Sequence, residues 1–250
     1  MTNFDDEVVE RVRLNLKNHQ LMSSAKSFMQ NSTKPKYSYN FSWLGRPIIQ
    51  YPQDIVAMQE LIWKIKPDLI IETGIAHGGS LIFSASMLAL LDMCFKRENE
   101  SPQRMVLGID VDIRDHNKKR IEEHPLSGKI KMIQGSSIDE NVFKRVKELA
   151  SNYRNILICL DSNHTELHVL EELRLYAPLT SIGSYCVVFD TIIEDLQDGM
   201  YPDRPWSVGN NPKTAVNKFI KENNNFSIDH DVDGKLLISV APGGYLKRYK

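Results

Sequence analysis

Cysteine is scarce in this chain: Cys94, Cys159 and Cys186 are the only three in 250 residues. No pair shows C-x-x-C spacing, so neither a disulfide framework nor a thiolate zinc site is expected. Cys159 and Cys186 sit inside apolar runs, where a thiol acts as a small hydrophobe. Net charge is almost absent at −1, which removes the broad positive field that draws nucleic acid or an anionic membrane. A small, roughly neutral partner is expected instead. No apolar run reaches the roughly 18 residues of a membrane span. The opening MTNFDDEVVERVRLNLKN begins with acids and lacks the apolar stretch of a signal peptide, so a cytoplasmic protein is expected. The dinucleotide fingerprint G-x-G-x-x-G is missing as well, which disfavours a dehydrogenase. Internal repeats and low-complexity segments are also lacking.

What is present is a regular alternation. The length suits one large α/β domain, read here as a helical and loop extension at 1–53 and a main domain at 54–250. Val8, Val12 and Leu16 at helical spacing predict one or two amphipathic helices over 5–30, placed to cover the site or pair subunits of a homo-oligomer. Residues 31–53 have no sustained period and read as an ordered loop. Asp54 is expected to N-cap a helix through Lys66. Apolar runs at 68–74, 105–112, 129–135, 155–162 and 185–191 then alternate with helices near 80–95, 115–123, 139–150 and 165–176. That pattern predicts a doubly wound parallel sheet, Rossmann-like, with helices on both faces. KRENESPQR (96–104) reads as a solvated loop. After a helix near 212–222, Asp233-Gly234 between two apolar segments predicts a tight antiparallel hairpin. A parallel sheet that ends in an antiparallel strand is closer to the class I methyltransferase sheet than to a dehydrogenase.

In such sheets ligands bind beyond the carboxyl ends of the strands. The first core strand ends in Glu72-Thr73-Gly74-Ile75-Ala76-His77-Gly78-Gly79-Ser80, a turn whose glycines let the backbone approach a ligand. The second ends in Asp110-Val111-Asp112; Asp110 is the first candidate for accepting ribose hydroxyls, Asp112 the second, and either can instead cap the next helix. Ser136 and Ser137 end the third strand and can flank an adenine, or simply form a turn before Asp139, a predicted N-cap. Asp161 and Asp190 end the fourth and fifth strands. Two carboxylates on neighbouring tips suit a hard divalent cation such as Mg²⁺. His164, three residues past Asp161, suits proton exchange at neutral pH, or lies on the surface at the start of the next helix.

Several segments, taken together, resemble the cephalosporin hydroxylase/rhamnosyl O-methyltransferase family: WLGRPIIQYPQD (43–54), KPDLIIETGIAHGGSLIF (66–83), LGIDVDIRDHN (107–117), ICLDSNHT (158–165), VVFDTIIED (187–195), NPKTAVNKFI (211–220) and APGGYLKR (241–248). The likeness runs over about 40–250. It implies a class I methyltransferase fold, S-adenosylmethionine as cofactor and a bound divalent metal. Carried over by position, Glu72, Gly74, Gly79 and Ser80 belong to the cofactor turn, Asp110 to the ribose, Ser136 and Ser137 to the adenine side, and Asp161 and Asp190 to the metal; His77 and Val111 are further cofactor-binding candidates. His164 stands where related O-methyltransferases keep a basic residue. The chain departs from the family at Phe189, where an acid is common; Glu194, Asp195 or water is the expected replacement.

The implied activity is O-methylation of a sugar hydroxyl, on a nucleotide-linked sugar or glycan, with metal assistance and His164 as base. Tyr37, Tyr39, Trp43, Tyr201 and Trp206 offer flat faces for a sugar, and Arg204 and Arg46 can meet a phosphate. The alternatives are a non-sugar acceptor such as an antibiotic or polyketide hydroxyl, and a protein that binds the cofactor without catalysis. A hydroxylase needs two histidines at an iron site, and only His164 lies near the acidic pair.

Overall fold

A computed structural model describes residues 3–96 and 102–250; most of the predicted solvated loop at 96–104 lies outside the described residues. The described chain begins with helices α1 (Phe4–Lys17) and α2 (His19–Thr33), followed by the short strands β1 (Phe41–Trp43) and β2 (Arg46–Ile48). The alternating part comprises α3 (Pro52–Ile65), β3 (Leu69–Thr73), α4 (Gly79–Cys94), β4 (Met105–Asp110), α5 (Asp115–Glu122), β5 (Ile130–Gln134), α6 (Glu140–Ala150), β6 (Ile156–Leu160), α7 (Glu166–Tyr176) and β7 (Tyr185–Val188). It closes with α8 (Pro212–Glu222), β8 (Phe226–Ile228), α9 (His230–Leu236) and β9 (Tyr245–Arg248). Among the described residues no helix is long and apolar enough to cross a membrane.

Seven strands form one sheet in the order β5-β4-β3-β6-β7-β9-β8, parallel from β5 to β7 and antiparallel at β9 and β8. Its centre is buried on both faces: every residue of LIIET and ILICL is buried, and all but Glu72 and Thr73 are apolar. Ile70 faces a core shared with Ile62 of α3 and Leu88 of α4. Leu69 and Ile71 face the opposite core, with Val146, Leu173 and Val216 of α6, α7 and α8. From β3 the chain crosses to β4 on one side, while β6 lies on the other. The tips of β3 and β6 therefore flank the topological switch point, where a crevice opens.

Three local expectations are corrected. Asp233-Gly234 forms no hairpin turn: both lie in α9, within the longer connection between the antiparallel strands β8 and β9. The helix is fixed from outside. A Cβ on Gly234 would come within 2.7 Å of the Leu16 side chain, and Asn15 donates to the Gly234 carbonyl at 3.1 Å. Turn propensity yields here to a close helix contact with α1. Residues 31–53 are not wholly loop, since β1 and β2 pair antiparallel around Leu44-Gly45.

Asp54 is the third correction. Tyr51 occupies the N-cap of α3, and Asp54 lies inside the first turn, fully buried. Its carboxylate accepts from Ser239 Oγ at 2.6 Å, the Val240 amide at 2.9 Å and the Tyr245 hydroxyl at 3.1 Å, tying α3 to the C-terminal segment. Burial pushes its pKa up to about 6, against the pull of those three donors. The raised folded value means that its contribution to stability is greatest below pH 4 and is lost as pH rises through 6. Asp54→Asn should abolish that slope, so its destabilisation relative to the parent should shrink by about 2 kcal/mol between pH 4 and 7. Urea unfolding at both pH values checks this; a constant difference would mean that Asp54 ionises normally.

Candidate active site

Gly74 follows β3 with φ +90°, and a Cβ there would lie 2.0 Å from the Asp161 carbonyl oxygen. Only glycine lets the β3 tip pass so close to β6, where the Asp161 amide also donates to Thr73 O at 2.9 Å. A Cβ on Gly79 would meet the Pro47 carbonyl at 2.1 Å, so the start of α4 lies directly against β2. The loop between these glycines is held by its neighbours. Asp110 Oδ2 accepts from the Ile75 and Ala76 amides at 2.7 and 3.3 Å, and its Oδ1 accepts from the Asp112 amide at 3.0 Å. Asn117 donates to Ala76 O at 2.9 Å, and Arg46 Nε donates to His77 O at 3.0 Å. Glu72 is buried under the loop and accepts from Ser80 Oγ. Burial pushes its pKa up to about 7, with the Ser80 bond pulling the other way.

Two adjoining cavities flank this loop and share Gln50, Ser80 and Asp161. One is lined by Gly74, Ile75, His77 and Gly79, the other by Asp54, Glu72, Phe83 and Phe189. Beside them, ligand atoms of Asp161, His164 and Asp190 lie within 4.8 Å of one another, with His164 Nε2 3.3 Å from Asp190 Oδ2. Asp190 adopts left-handed backbone, φ 57°, a conformation that aspartate tolerates better than most residues. The Asp161 pKa is pushed well above the carboxylate range, first by burial and then by Asp190, Glu72, Glu172 and Asp54. The charges that act on it most are all negative. Two carboxylates converging on one point, with an imidazole beside them, form a donor pair that fits a divalent cation.

The family profile described as rhamnosyl O-methyltransferase/CmcI matches residues 35–249. The chain belongs to that family. Among its relatives, a rhamnosyl O-methyltransferase of Mycobacterium tuberculosis (strain ATCC 25618 / H37Rv) is 28% identical over 197 residues, covering 78% of this chain and 73% of the relative. A rhamnosyl O-methyltransferase of Mycobacterium leprae (strain TN) is 27% identical over 210 residues, covering 83% and 82%. A solved CmcI structure with Mg and SAM shares the fold, at TM-score 0.56 and 17% identity over 85% of this chain and 78% of that one.

Against the rhamnosyl O-methyltransferase/CmcI pattern, Phe189 is buried and lines the second cavity. The two acids expected to replace the missing carboxylate are engaged elsewhere. Glu194 accepts from the Gly209 amide at 2.8 Å and from Asn211, and Asp195 pairs with Lys213 at 2.6 Å. His164 is the third group that the structure brings to Asp161 and Asp190.

The remaining candidates are divided. Trp206 meets His164 edge-on, centroids 5.7 Å apart, and Tyr201 meets Trp206 at 5.1 Å. Arg204 lines a cleft with both aromatics. Trp43 is instead joined to α4, donating to Ser86 Oγ at 3.0 Å and packing on Phe83 at 5.0 Å. Tyr37 packs among Phe28, Phe41 and Tyr51, and Tyr39 is exposed beside Lys36. Arg46 is buried and bound to His77 and Asn117, so it does not lie open beside the aromatics. Ser137 is buried with its hydroxyl 3.1 Å from His168 Nε2, while the Ser136 carbonyl accepts from the Asp139 amide at 3.0 Å. Asp139 caps α6 as expected. Val111 and Asp112 are exposed beyond β4, with Asp112 3.8 Å from Arg114. Sequence reasoning missed Gln50, buried with its Oε1 unpartnered. The available signal was a glutamine closing the apolar run Pro47-Ile48-Ile49.

Proposed function

We propose that this chain transfers the methyl group of S-adenosylmethionine to a sugar hydroxyl, with a divalent cation, Mg²⁺, held by Asp161 and Asp190. The observation that carries this is the Asp161–His164–Asp190 cluster set against the glycine loop at the switch point. Support comes from the relatives named rhamnosyl O-methyltransferases and from the CmcI structure with Mg and SAM.

The bound cofactor supplies an already activated methyl group, so alignment and deprotonation of the acceptor are left to the protein. The Gly74–Gly79 loop receives the methionine end, Asp110 the ribose, and Ser136 and Ser137 the adenine side. The ion, when bound, supplies Lewis acidity that favours negative charge on the acceptor oxygen. His164 takes the acceptor proton, oriented by Asp190 and braced by Trp206. Tyr201, Trp206 and Arg204 receive the sugar. Pro47 to Gln50, at the end of the extension, cover the site from the β2 side, where they line the cavities. The decisive experiment is incubation with labelled S-adenosylmethionine and a panel of nucleotide sugars and glycans, with and without chelator, followed by mass analysis. Transfer that requires a free metal ion is expected. Cofactor binding with no transfer to any acceptor would leave only the binding protein.

Gln50 contributes a partnerless acceptor beside Glu72 and Asp161, an environment suited to the α-ammonium of the cofactor's amino-acid end. A hydrogen bond to a charged group contributes about 1.5–3 kcal/mol. Gln50→Ala should therefore weaken S-adenosylhomocysteine binding about tenfold or more, and leave 5′-methylthioadenosine, which lacks that end, unaffected. Calorimetry with both ligands checks it; equal losses would place Gln50 elsewhere.

A further inference from the structure

Arg46 also lines a separate cleft of about 600 Å³, between the β1–β2 turn and α5, with Gly45, His116, Lys119, Arg120 and Glu123. None of its wall residues lines the two cavities beside the glycine loop. The α5 residues recur at i, i+3, i+4 and i+7, which places them on one helix face. Arg46 is only 5% exposed, yet its hydrogen-bond partners are the uncharged His77 carbonyl and Asn117 side chain. A buried cation without a carboxylate is costly unless something else neutralises it. Its charged neighbour Arg120 makes matters worse: burial and that second guanidinium both pull the Arg46 pKa down. Arg120 has no ion-pair partner among the described residues, and Glu123, the acid in the wall, lies 3.8 Å from Lys119. His124 has both ring nitrogens engaged, with Leu44 O at 3.0 Å and the Leu126 amide at 3.2 Å, and so pins the turn to the end of α5.

We infer that this cleft is an anion site for a phosphate-bearing ligand, gripped by Arg46, Lys119 and Arg120. Guanidinium groups match phosphate oxygens in pairs, and a doubly charged phosphate neutralises the two arginines that repel one another. The volume exceeds that of free phosphate and accommodates a nucleoside diphosphate. The assignment stands apart from methyl transfer, because its walls do not include the candidate catalytic groups.

Calorimetric titration of the full chain with pyrophosphate and with uridine diphosphate, at low and at physiological ionic strength, tests it. Saturable binding that weakens with salt is expected. Arg120→Ala should weaken it about tenfold or more, the loss of a charge-assisted hydrogen bond. Glu123→Gln should tighten it by removing a like charge. Both positions are exposed, and S-adenosylhomocysteine binding should be the same in both variants as in the parent. Tighter binding of uridine diphosphate than of pyrophosphate assigns the site to a nucleotide; equal binding assigns it to the phosphate group alone. No saturable binding of either ligand at low ionic strength, or an Arg120→Ala variant that binds like the parent, overturns the proposal.

Discussion

Replacing Asp190 by asparagine should lower methyl transfer by roughly 10³-fold or more, while S-adenosylhomocysteine affinity stays within about twofold. The two effects separate because of where Asp190 lies. It lies two residues past β7, contacts His164 at 3.3 Å and belongs to the Asp161–His164–Asp190 cluster, yet it lines neither cavity beside the glycine loop. Asp161 lines both cavities, so its loss confounds cofactor binding with chemistry. Asparagine also keeps the shape of the side chain and tolerates the left-handed backbone at φ 57°. The substitution therefore removes one negative charge and the orientation of the His164 ring without disturbing the tip of β7. Metal content after dialysis against Mn²⁺ gives a second readout, and it should fall in the variant. Chelator should abolish parent activity and change the variant's residual rate little. An Asp190→Asn enzyme that retains a tenth of parent turnover, or binds Mn²⁺ as the parent does, would remove this carboxylate from the metal site.

The order of strands and helices from β3 to α8 was legible because β3, β4, β6 and β7 are short, mainly apolar runs, and the helices between them, the apolar α4 apart, are amphipathic. That distinction is local to the chain. The acidic cluster was half legible for a related reason: Asp161 and Asp190 each follow a strand, and parallel strands bring their carboxyl ends to one edge. His164 was visible as a candidate base, but no spacing encodes its 3.3 Å approach to Asp190, which sits at φ 57°, or its edge-on contact with Trp206. What failed depends on contacts distant in sequence. Asp54 had the composition of a cap, but its partners Ser239, Val240 and Tyr245 lie more than 180 residues away. Asp233-Gly234 had the composition of a turn, but Leu16 and Asn15 hold it in a helix. Arg46 was legible as a candidate for meeting a phosphate, but its burial against the His77 carbonyl was not.

Gly74→Ala should lower stability by about 3 kcal/mol or more and reduce turnover at least about 10²-fold. Two penalties coincide at this position. The backbone at φ +90° is one that a side chain rarely adopts, and the added methyl would lie 2.0 Å from the Asp161 oxygen and 2.7 Å from its carbonyl carbon. Both obstacles are backbone atoms, so no rotamer change relieves them, and the tips of β3 and β6 must separate. That movement displaces Asp161 from His164 and Asp190, and a shift near 1 Å suffices to cost about two orders of magnitude in rate. For a chain of this size the stability loss corresponds to a melting temperature lower by roughly 10 °C. Gly45→Ala is the matched control. It has a similar backbone, φ +83°, but nothing within 4 Å of the new methyl, so it should lose only about 1 kcal/mol and keep its turnover. If the two variants melt together and both remain active, the close crossing of β3 over Asp161 is not what positions the acidic cluster.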